Sequence, residues 1–335
     1  MSTRYFKMSN RKLNHLTSGL VLLALPITTQ QLIGELAPDA TLSASVQSAD
    51  VIVIARATSS VQTLSPVTMT VNLSILDTLK GADIPKEVTI TFAARGYARN
   101  WGPLRTSTRL VFLQRRGGAL GIPDPSYVSL PAVESPLPDG NDPLSAVISE
   151  EKQVLASSEV SESEKREAIN SLGTSLDPRA TVALRQALSD PAKDIQLEAI
   201  SRLAQRGDAT SLSSAADTLI APPQNLPEFT LQSLRVGIRE GARTEAFVPR
   251  LAELLNAKEN ETREAAAEAL RHIGSQSSRE PLVRALSDSD QWVRYQAVVG
   301  LATMVGDHDY LPNIPDFRKD ELKYTTHWKQ WASTH

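Results

Sequence analysis

Cysteine is absent from this sequence of 335 residues. Its absence excludes disulfide bonds, thiolate zinc sites and cysteine nucleophiles, so packing must hold the fold together. Aromatic residues make up only 5% of the chain, and the formal net charge is -3. Nucleic acids and anionic membranes usually require an excess of Lys and Arg, and we therefore expect neither as a partner.

Common catalytic motifs are also missing from the sequence. It contains no Gly-x-Ser-x-Gly elbow and no Gly-x-x-x-x-Gly-Lys phosphate loop. Its five histidines form neither a His-x-x-x-His spacing nor a His-Glu dipeptide that would bring two metal ligands together. His272 follows Glu268 by four residues, which is typical of an exposed pair on one helix. We therefore predict that the chain is not an enzyme and holds no cofactor or metal.

Residues 1–33 have the pattern of a signal peptide. No acidic residue occurs before Glu35, and the apolar run Gly19–Leu25 is shorter than the roughly 20 residues that cross a bilayer. The run is preceded by four basic residues: Arg4, Lys7, Arg11 and Lys12. We expect an exported protein of the periplasm or cell envelope, with no stable membrane insertion after signal removal. A retained anchor is the alternative, because no clear cleavage site follows Pro26.

From residue 45 to 133 the apolar pattern is that of β-strands. Met69, Val71 and Leu73 alternate with polar residues, as a half-buried strand requires. Further strands are predicted at Val51–Ile54, Val88–Phe92, Leu110–Leu113 and Ala119–Ile122, the last two joined by a hairpin at Gly117 and Gly118. The pattern predicts a small antiparallel sandwich or OB-like barrel. This region resembles small β-domains at the front of some exported bacterial proteins, and the resemblance carries no catalytic motif.

Residues 134–163 are polar and rich in Pro and Ser, which predicts a linker, with a helix from Pro143 to Leu155 as one option. Beyond it, from residue 164 to 335, leucines return at intervals of 31, 31, 36 and 31 residues. These leucines are Leu172, Leu203, Leu234, Leu270 and Leu301. A second ladder consists of Leu188, Leu219, Leu255 and Leu286. Such a period indicates stacked helical pairs. The predicted fold class is α+β multidomain, with an N-terminal antiparallel β-domain and an all-α C-terminal array.

The motif Leu-Ser-Asp occurs at 188–190 and 286–288, and small residues recur four positions before the leucines of the first ladder. This pattern resembles HEAT-like repeats, including the short phycobilin-lyase type. The resemblance implies an α-solenoid of four helical pairs and the first helix of a fifth, which residues 310–331 complete or cap. Five extra residues between Leu234 and Leu255 predict a longer helix or protruding loop, with a contact loop as the alternative.

Two activities known among HEAT-like proteins are not expected here. The HEAT-like di-iron hydroxylases carry paired His-Glu dipeptides, and this sequence contains none. Phycobilin attachment takes place in the cytoplasm, which conflicts with an export signal. The resemblance instead implies binding on the concave side of a solenoid, lined by the second helix of each pair.

The candidate partner-binding residues are four arginines of the predicted second helices and one tryptophan: Arg179, Arg185, Arg250, Arg284 and Trp292. Arginines there could capture an acidic peptide or polysaccharide, although Asp217 and Glu253 interrupt the basic stripe. A C-terminal aromatic cluster that includes Trp328 and Trp331 favours a closing cap, with a partner or glycan platform as the alternative.

The sequence thus favours a non-enzymatic exported scaffold or adaptor that binds a protein or peptide through the concave face. The alternative is an accessory subunit or maturation factor of an enzyme whose chemistry resides in a partner. Carbohydrate binding by the β-domain is a third hypothesis, and it depends on the single residue Trp101.

Overall fold

The computed structural model describes residues 41–64, 67–93, 108–122, 129–133 and 142–334, so the predicted signal peptide and Trp101 lie outside the described residues. A short helix, α1 (Leu42–Ser48), precedes six strands and a series of helices. The strands are β1 (Val51–Leu64), β2 (Val67–Lys80), β3 (Glu87–Ala93), β4 (Thr108–Arg116), β5 (Ala119–Gly121) and β6 (Ser129–Pro131). The helices are α2 (Pro143–Ala156), α3 (Glu162–Thr174), α4 (Pro178–Gln186), α5 (Lys193–Gln205), α6 (Ala209–Ile220), α7 (Glu228–Gly241), α8 (Val248–Leu254), α9 (Asn260–Ile273), α10 (Arg279–Ala285), α11 (Gln291–Val305), α12 (Ile314–Lys319) and α13 (Glu321–Thr334).

The strands form one antiparallel sheet in the order β3-β2-β1-β4-β5, with β6 paired to β4. The first five residues of β1, Val51 to Ala55, are buried on both faces of the sheet, since successive side chains point to opposite sides. Val51 and Val53 pack against apolar residues of β2 and β3. Ile52 and Ile54 pack with Phe112 against the helices. Double burial explains why this segment is a continuous apolar run rather than an alternating one.

The prediction of a closed barrel or a two-sheet sandwich is not confirmed by the described strands. They form a single open sheet, and β3 and β5 are its edges. The face of β1 and β4 where a second sheet would pack is instead covered by α1, α2 and α3, through Val46, Val147 and Ile169. Helices therefore supply the layer that the sandwich prediction gave to strands.

Helix α1 is held against the sheet by side chains that bind its C-terminal carbonyl groups. The Nζ of Lys80 donates to the carbonyl oxygen of Val46 at 2.8 Å and also contacts that of Ala49. The Nε2 of Gln114 donates to the Ser48 carbonyl oxygen at 3.0 Å. A cation at this helix end satisfies carbonyls without an intrahelical partner and complements the negative end of the helix dipole.

The helices pair as the leucine spacing predicts. First helices α3, α5, α7, α9 and α11 pack in succession, and α4, α6, α8 and α10 are the second helices of their pairs. All five leucines of the first ladder are fully buried, as is each small residue four positions earlier except Thr230, which is 1% exposed. In the second ladder Leu219 and Leu286 are buried, whereas Leu188 and Leu255 are half-buried.

The Leu-Ser-Asp motif ends in an aspartate that joins two helices. Asp190 accepts from the backbone N–H of Ala192 at 2.8 Å and pairs with Lys165 of α3 at 2.6 Å. Asp288 accepts from Asp290 N–H and pairs with Arg263 of α9 at 2.8 Å. Both cations lie seven residues before a ladder leucine. The motif thus shapes the turn between pairs and fastens it to the preceding first helix.

The extra residues of the third pair lie after Leu234, because α7 continues to Gly241 whereas α3 and α5 end two residues past their ladder leucines, and a short 3-10 turn, Glu245–Phe247, follows. With 14 residues α7 is no longer than α9, so the prediction of a longer helix is not confirmed. Helix α7 lies unusually close to α5, and its Gly237 and Gly241 face that helix. A Cβ at Gly241 would lie 1.7 Å from the carbonyl oxygen of Ala204. The glycines therefore permit a close helix contact.

Residues 143–156, within the predicted linker, form α2, and its Val147, Val154 and Leu155 are buried in the core shared by the sheet and the first helical pair. The domain boundaries themselves stay a prediction.

Candidate partner-binding surface

The four candidate arginines lie on second helices, and each is paired with a carboxylate. Arg179 and Arg185 are on α4, Arg250 is on α8 and Arg284 is on α10. Their side chains are between 30% and 57% exposed, so all remain within reach of solvent. The fifth candidate, Trp292, lies elsewhere, near the start of the first helix α11.

Three of these pairs connect the second helices to one another or to α2. Arg179 donates to Asp142, the N-cap residue of α2, at 3.1 Å. Arg185 donates to Asp208, the N-cap residue of α6, at 2.7 Å. Arg250 of α8 pairs with Asp217 of α6. The row α2, α4, α6 and α8 is therefore cross-linked by alternating charges.

The charge of this row is locally balanced. Arg179 also binds Asp177 through two hydrogen bonds of 2.9 and 2.7 Å, and the Asp177 carboxylate raises the pKa of the guanidinium above its usual range. Arg250 also pairs with Glu253, and Arg284 donates to Glu280 at 2.8 Å. The surface carries charges of both signs rather than a continuous basic stripe.

Apolar groups also reach the solvent on α4. Val182 is 57% exposed, and it lies three residues from both Arg179 and Arg185, which places the three side chains on one face. Leu176, just before the helix, is 93% exposed. An aliphatic group flanked by arginines can provide a contact that excludes water while the charges fix orientation.

Trp292 belongs to an aromatic cluster at the C-terminal end. Its ring meets Tyr295 edge to face at 6.0 Å, and the Arg318 guanidinium lies 4.8 Å from its centroid. Trp328 is fully buried, and its Nε1 donates to the carbonyl oxygen of Tyr310 at 3.3 Å. The rings meet mainly edge to face, and they pack on α11, the first helix of the fifth pair. The structure therefore separates Trp292 from the arginine row.

The described histidines lie in separate surroundings and do not form a group that could hold a metal ion. Burial lowers the pKa of His272, and the neighbouring Arg271 adds to that shift. His327 stacks on Tyr310 at 3.4 Å and lies 3.4 Å from an Asp307 oxygen. Within the described residues, no group of three or more His, Asp or Glu side chains is arranged to hold a metal ion.

Sequence reasoning missed a buried acidic pair on α2, Glu150 and Glu151, both fully buried. A signal was present, because Glu151 is four residues after Val147 and four before Leu155. The apolar stripe of the helix therefore passes through a carboxylate. The prediction of a linker over residues 134–163 leaves no place for a buried helix face, so the spacing did not lead to these two glutamates.

Comparison with known proteins supports the helical repeats. A family model described as HEAT repeats matches residues 248–327, which correspond to α8 through the first half of α13. No curated protein matches the chain significantly. Along the described parts of the chain, no helix is both long and apolar enough to cross a membrane. The resemblance to HEAT repeats is thus confirmed for residues 248–327.

Proposed function

We propose that the chain is a non-enzymatic scaffold that binds a protein or peptide partner along the second helices of a HEAT-like solenoid. The HEAT match at residues 248–327 is the observation that carries this proposal. Repeats of this kind stack their helical pairs, so that the second helices form one extended binding surface. The pairs α3/α4 and α5/α6 continue the same leucine register ahead of the matched segment.

The mixed charges of the arginine row favour a polar partner that carries both signs. Exposed ion pairs contribute only about 0–1 kcal/mol each, so a partner can exchange its own charges for them at little cost. The cross-links from α2 to α8 hold the arginines in place before binding, which limits the entropy lost on association. Val182, between Arg179 and Arg185, is the apolar centre that we propose for this contact.

The test is recovery of a partner with the full-length tagged chain from the envelope fraction of the producing cells. The binding variant combines Val182→Asp, Arg185→Ala and Arg250→Ala. The matched control is Arg243→Ala, an exposed arginine in the turn after α7, outside the second helices. We expect wild type and control to recover the same protein and the triple variant to recover at least about tenfold less, a loss of about 1.4 kcal/mol.

Equal recovery by all three proteins would show that the arginine row is not the binding surface. Recovery of an enzyme that requires the chain for its activity would support the accessory-subunit alternative. Turnover of a substrate by the purified chain, with no partner recovered, would contradict the scaffold proposal.

We also propose that the protein is exported to the periplasm or cell envelope. The support is the basic segment and short apolar run within residues 1–33. Cell fractionation of a C-terminally tagged chain, with N-terminal sequencing of the mature form, tests this. A tagged chain found in the cytoplasm with its first residues intact would contradict export.

A further inference from the structure

A buried acidic cluster lies where the sheet meets the first helices. Glu150 and Glu151 of α2 are fully buried, and Arg109 of β4 is 3% exposed. Arg109 donates to Glu167 of α3 at 2.7 Å and to the Ser129 hydroxyl of β6 at 3.3 Å. Four elements of the fold thus contribute polar groups to one interior location.

Hydrogen bonding in this cluster is incomplete. Neither carboxyl oxygen of Glu151 has a hydrogen-bond partner among the residues that the structure describes. One oxygen of Glu150 accepts from the backbone N–H of Val133 at 2.5 Å, and the other has no partner in the described chain. The Nη1 of Arg109 is likewise without a partner there. A buried carboxylate in such surroundings is costly, whereas a protonated carboxyl avoids the larger penalty of a buried charge.

The charges around the two glutamates also favour their protonated, neutral forms. Arg109, Glu150 and Glu167 all act electrostatically on Glu151, and Arg109 already forms an ion pair with Glu167. Asp77 of β2, which acts on Glu150, is also acidic. β6 contributes only the Ser129 hydroxyl and carbonyl, and the residue Val133 after it contributes the N–H. When Glu150 and Glu151 are both neutral, Arg109 and Glu167 balance each other and Asp77 remains as one negative charge, so ionising either buried glutamate adds further uncompensated negative charge.

We propose that Glu150 and Glu151 form a proton-operated latch, which keeps the sheet docked on α2 and α3 while both are neutral and releases it when their protons are lost. Nothing in the scaffold proposal requires this device. A latch at this position would change how firmly the sheet holds the start of the helical array.

The direction of the pH effect follows from the surroundings of each group. Burial raises the pKa of Glu150 to about 7, with Asp77 adding to the rise and the Val133 N–H opposing it. Burial raises the pKa of Glu151 well above its usual value; Arg109 opposes the rise, and Glu150 and Glu167 add to it. An opened interface exposes both carboxyls to water, where they ionise at ordinary values. Raising the pH therefore favours opening, by up to about tenfold per pH unit for each proton released.

The cysteine-free sequence provides a direct test with single engineered thiols. An Ala132→Cys variant reports on the core beside the latch, where Ala132 is 8% exposed. An Ala302→Cys variant reports on the separate core of the later helices, where Ala302 is 1% exposed. Reaction with a thiol reagent is followed from about pH 5.5 to 8.5, and each rate is divided by the thiolate fraction measured in the denatured chain.

We expect the ratio of the two corrected rates to rise with pH by up to about tenfold per unit for each proton released on opening, with the contribution of Glu150 ending near its docked-state pKa of about 7. Glu150→Gln with Glu151→Gln in the same backgrounds should give a flat ratio, because the amides do not ionise. Glu253→Gln, which changes an exposed carboxylate of α8, should leave the rise intact.

A constant ratio in the otherwise wild-type protein would overturn the proposal, as would a rise that survives in the double variant. Equal acceleration at both reporters would show global unfolding rather than a latch, and it would also overturn the proposal. If the double variant does not fold, Glu150→Gln alone must reduce the steepness below about pH 7, where that residue releases its proton.

Discussion

The contact between α5 and α7 depends on the absence of a side chain at Gly241. A Cβ there would lie 1.7 Å from the Ala204 carbonyl oxygen, whereas ordinary contacts begin at 3.4 Å. Gly241 does not have a positive φ, so the requirement is steric rather than conformational. The obstructing atom belongs to a helix backbone and cannot rotate away, so Gly241→Ala must push α7 from α5.

The loss of unfolding free energy expected for Gly241→Ala is the difference between two opposing effects. Overpacking a well-packed contact costs about 1–3 kcal/mol, and an overlap of this depth with backbone belongs near the upper limit. Replacing Gly with Ala in a helix interior returns up to about 1 kcal/mol, and less at the last residue of a helix. We therefore expect Gly241→Ala to lower the free energy of unfolding by about 2 kcal/mol.

Urea unfolding followed by far-UV circular dichroism measures this change, and Gly173→Ala on α3 is the control. The three atoms nearest to a Cβ at Gly173 all belong to the side chain of Arg202, with the Cδ at 2.7 Å, so the overlap is with a side chain that can rotate and not with a helix backbone. The control should be neutral or stabilised by up to about 1 kcal/mol. Equal stability of the two variants, or a Gly241→Ala protein as stable as wild type, would refute the reasoning.

Three further perturbations test other contacts. Arg263→Met breaks the half-buried pair with Asp288 and should lower the free energy of unfolding, measured in urea, by about 3 kcal/mol. Arg284→Met, at an exposed pair, should change that free energy by less than about 1 kcal/mol, and equal losses in the two variants would contradict this prediction. Lys80→Met removes the cation at the end of α1 and should accelerate hydrogen exchange in that helix with little change in α9; unchanged exchange would show that the cap is dispensable. A fragment of residues 164–335 lacks α2, so it should expose apolar surface of the first helical pair and bind a hydrophobic dye. A fragment of residues 142–335 retains α2 and should bind less dye; equal dye binding would show that α2 does not cover this apolar surface.

The helical half was predictable because its signal repeats. The first ladder has five equivalent leucines, so a wrong alignment of one repeat would be corrected by the other four. The cations that pair with Asp190 and Asp288 were missed, although Lys165 and Arg263 occupy the same place before their leucines. One of the two cations is a lysine and the other an arginine, so the recurrence appears only when residues are compared by charge and not by identity.

The β-region was predictable strand by strand but not as an architecture. Alternation located β2 and β3, because one face of each is solvated. Whether the second face of β1 meets another sheet or a helix is a long-range property that the apolar run Val51–Ile54 cannot encode. Helix α1 has only seven residues and gave no periodic signal.

The arginine candidates show a similar limit. Placement of Arg179, Arg185, Arg250 and Arg284 on second helices followed from register. Their electrostatic character followed only in part: Asp217 and Glu253, which were expected to interrupt the basic stripe, pair with Arg250. The carboxylates Asp142 and Asp208 lie 37 and 23 residues from their partners along the chain, and no local pattern indicates them. A sequence count of basic residues on one face therefore overstated the positive charge that a partner would meet.

The distribution of the cores explains how the sheet can influence a distant binding surface. One core joins the sheet to α2, α3 and α4 and includes Ile195, Ala199 and Leu203 of α5. The other extends from α5 to α13 and includes Leu197 and Ala204. Helix α5 is therefore shared, with one stripe in each core. The arginine cross-links bridge the same division, since α4 belongs to the first core and α6 to the second. We propose that a change in docking of the sheet reaches the second helices mainly through α5, whose residues belong to both cores. Release of the latch should thus alter the spacing of α4 and α6, at the centre of the proposed binding row.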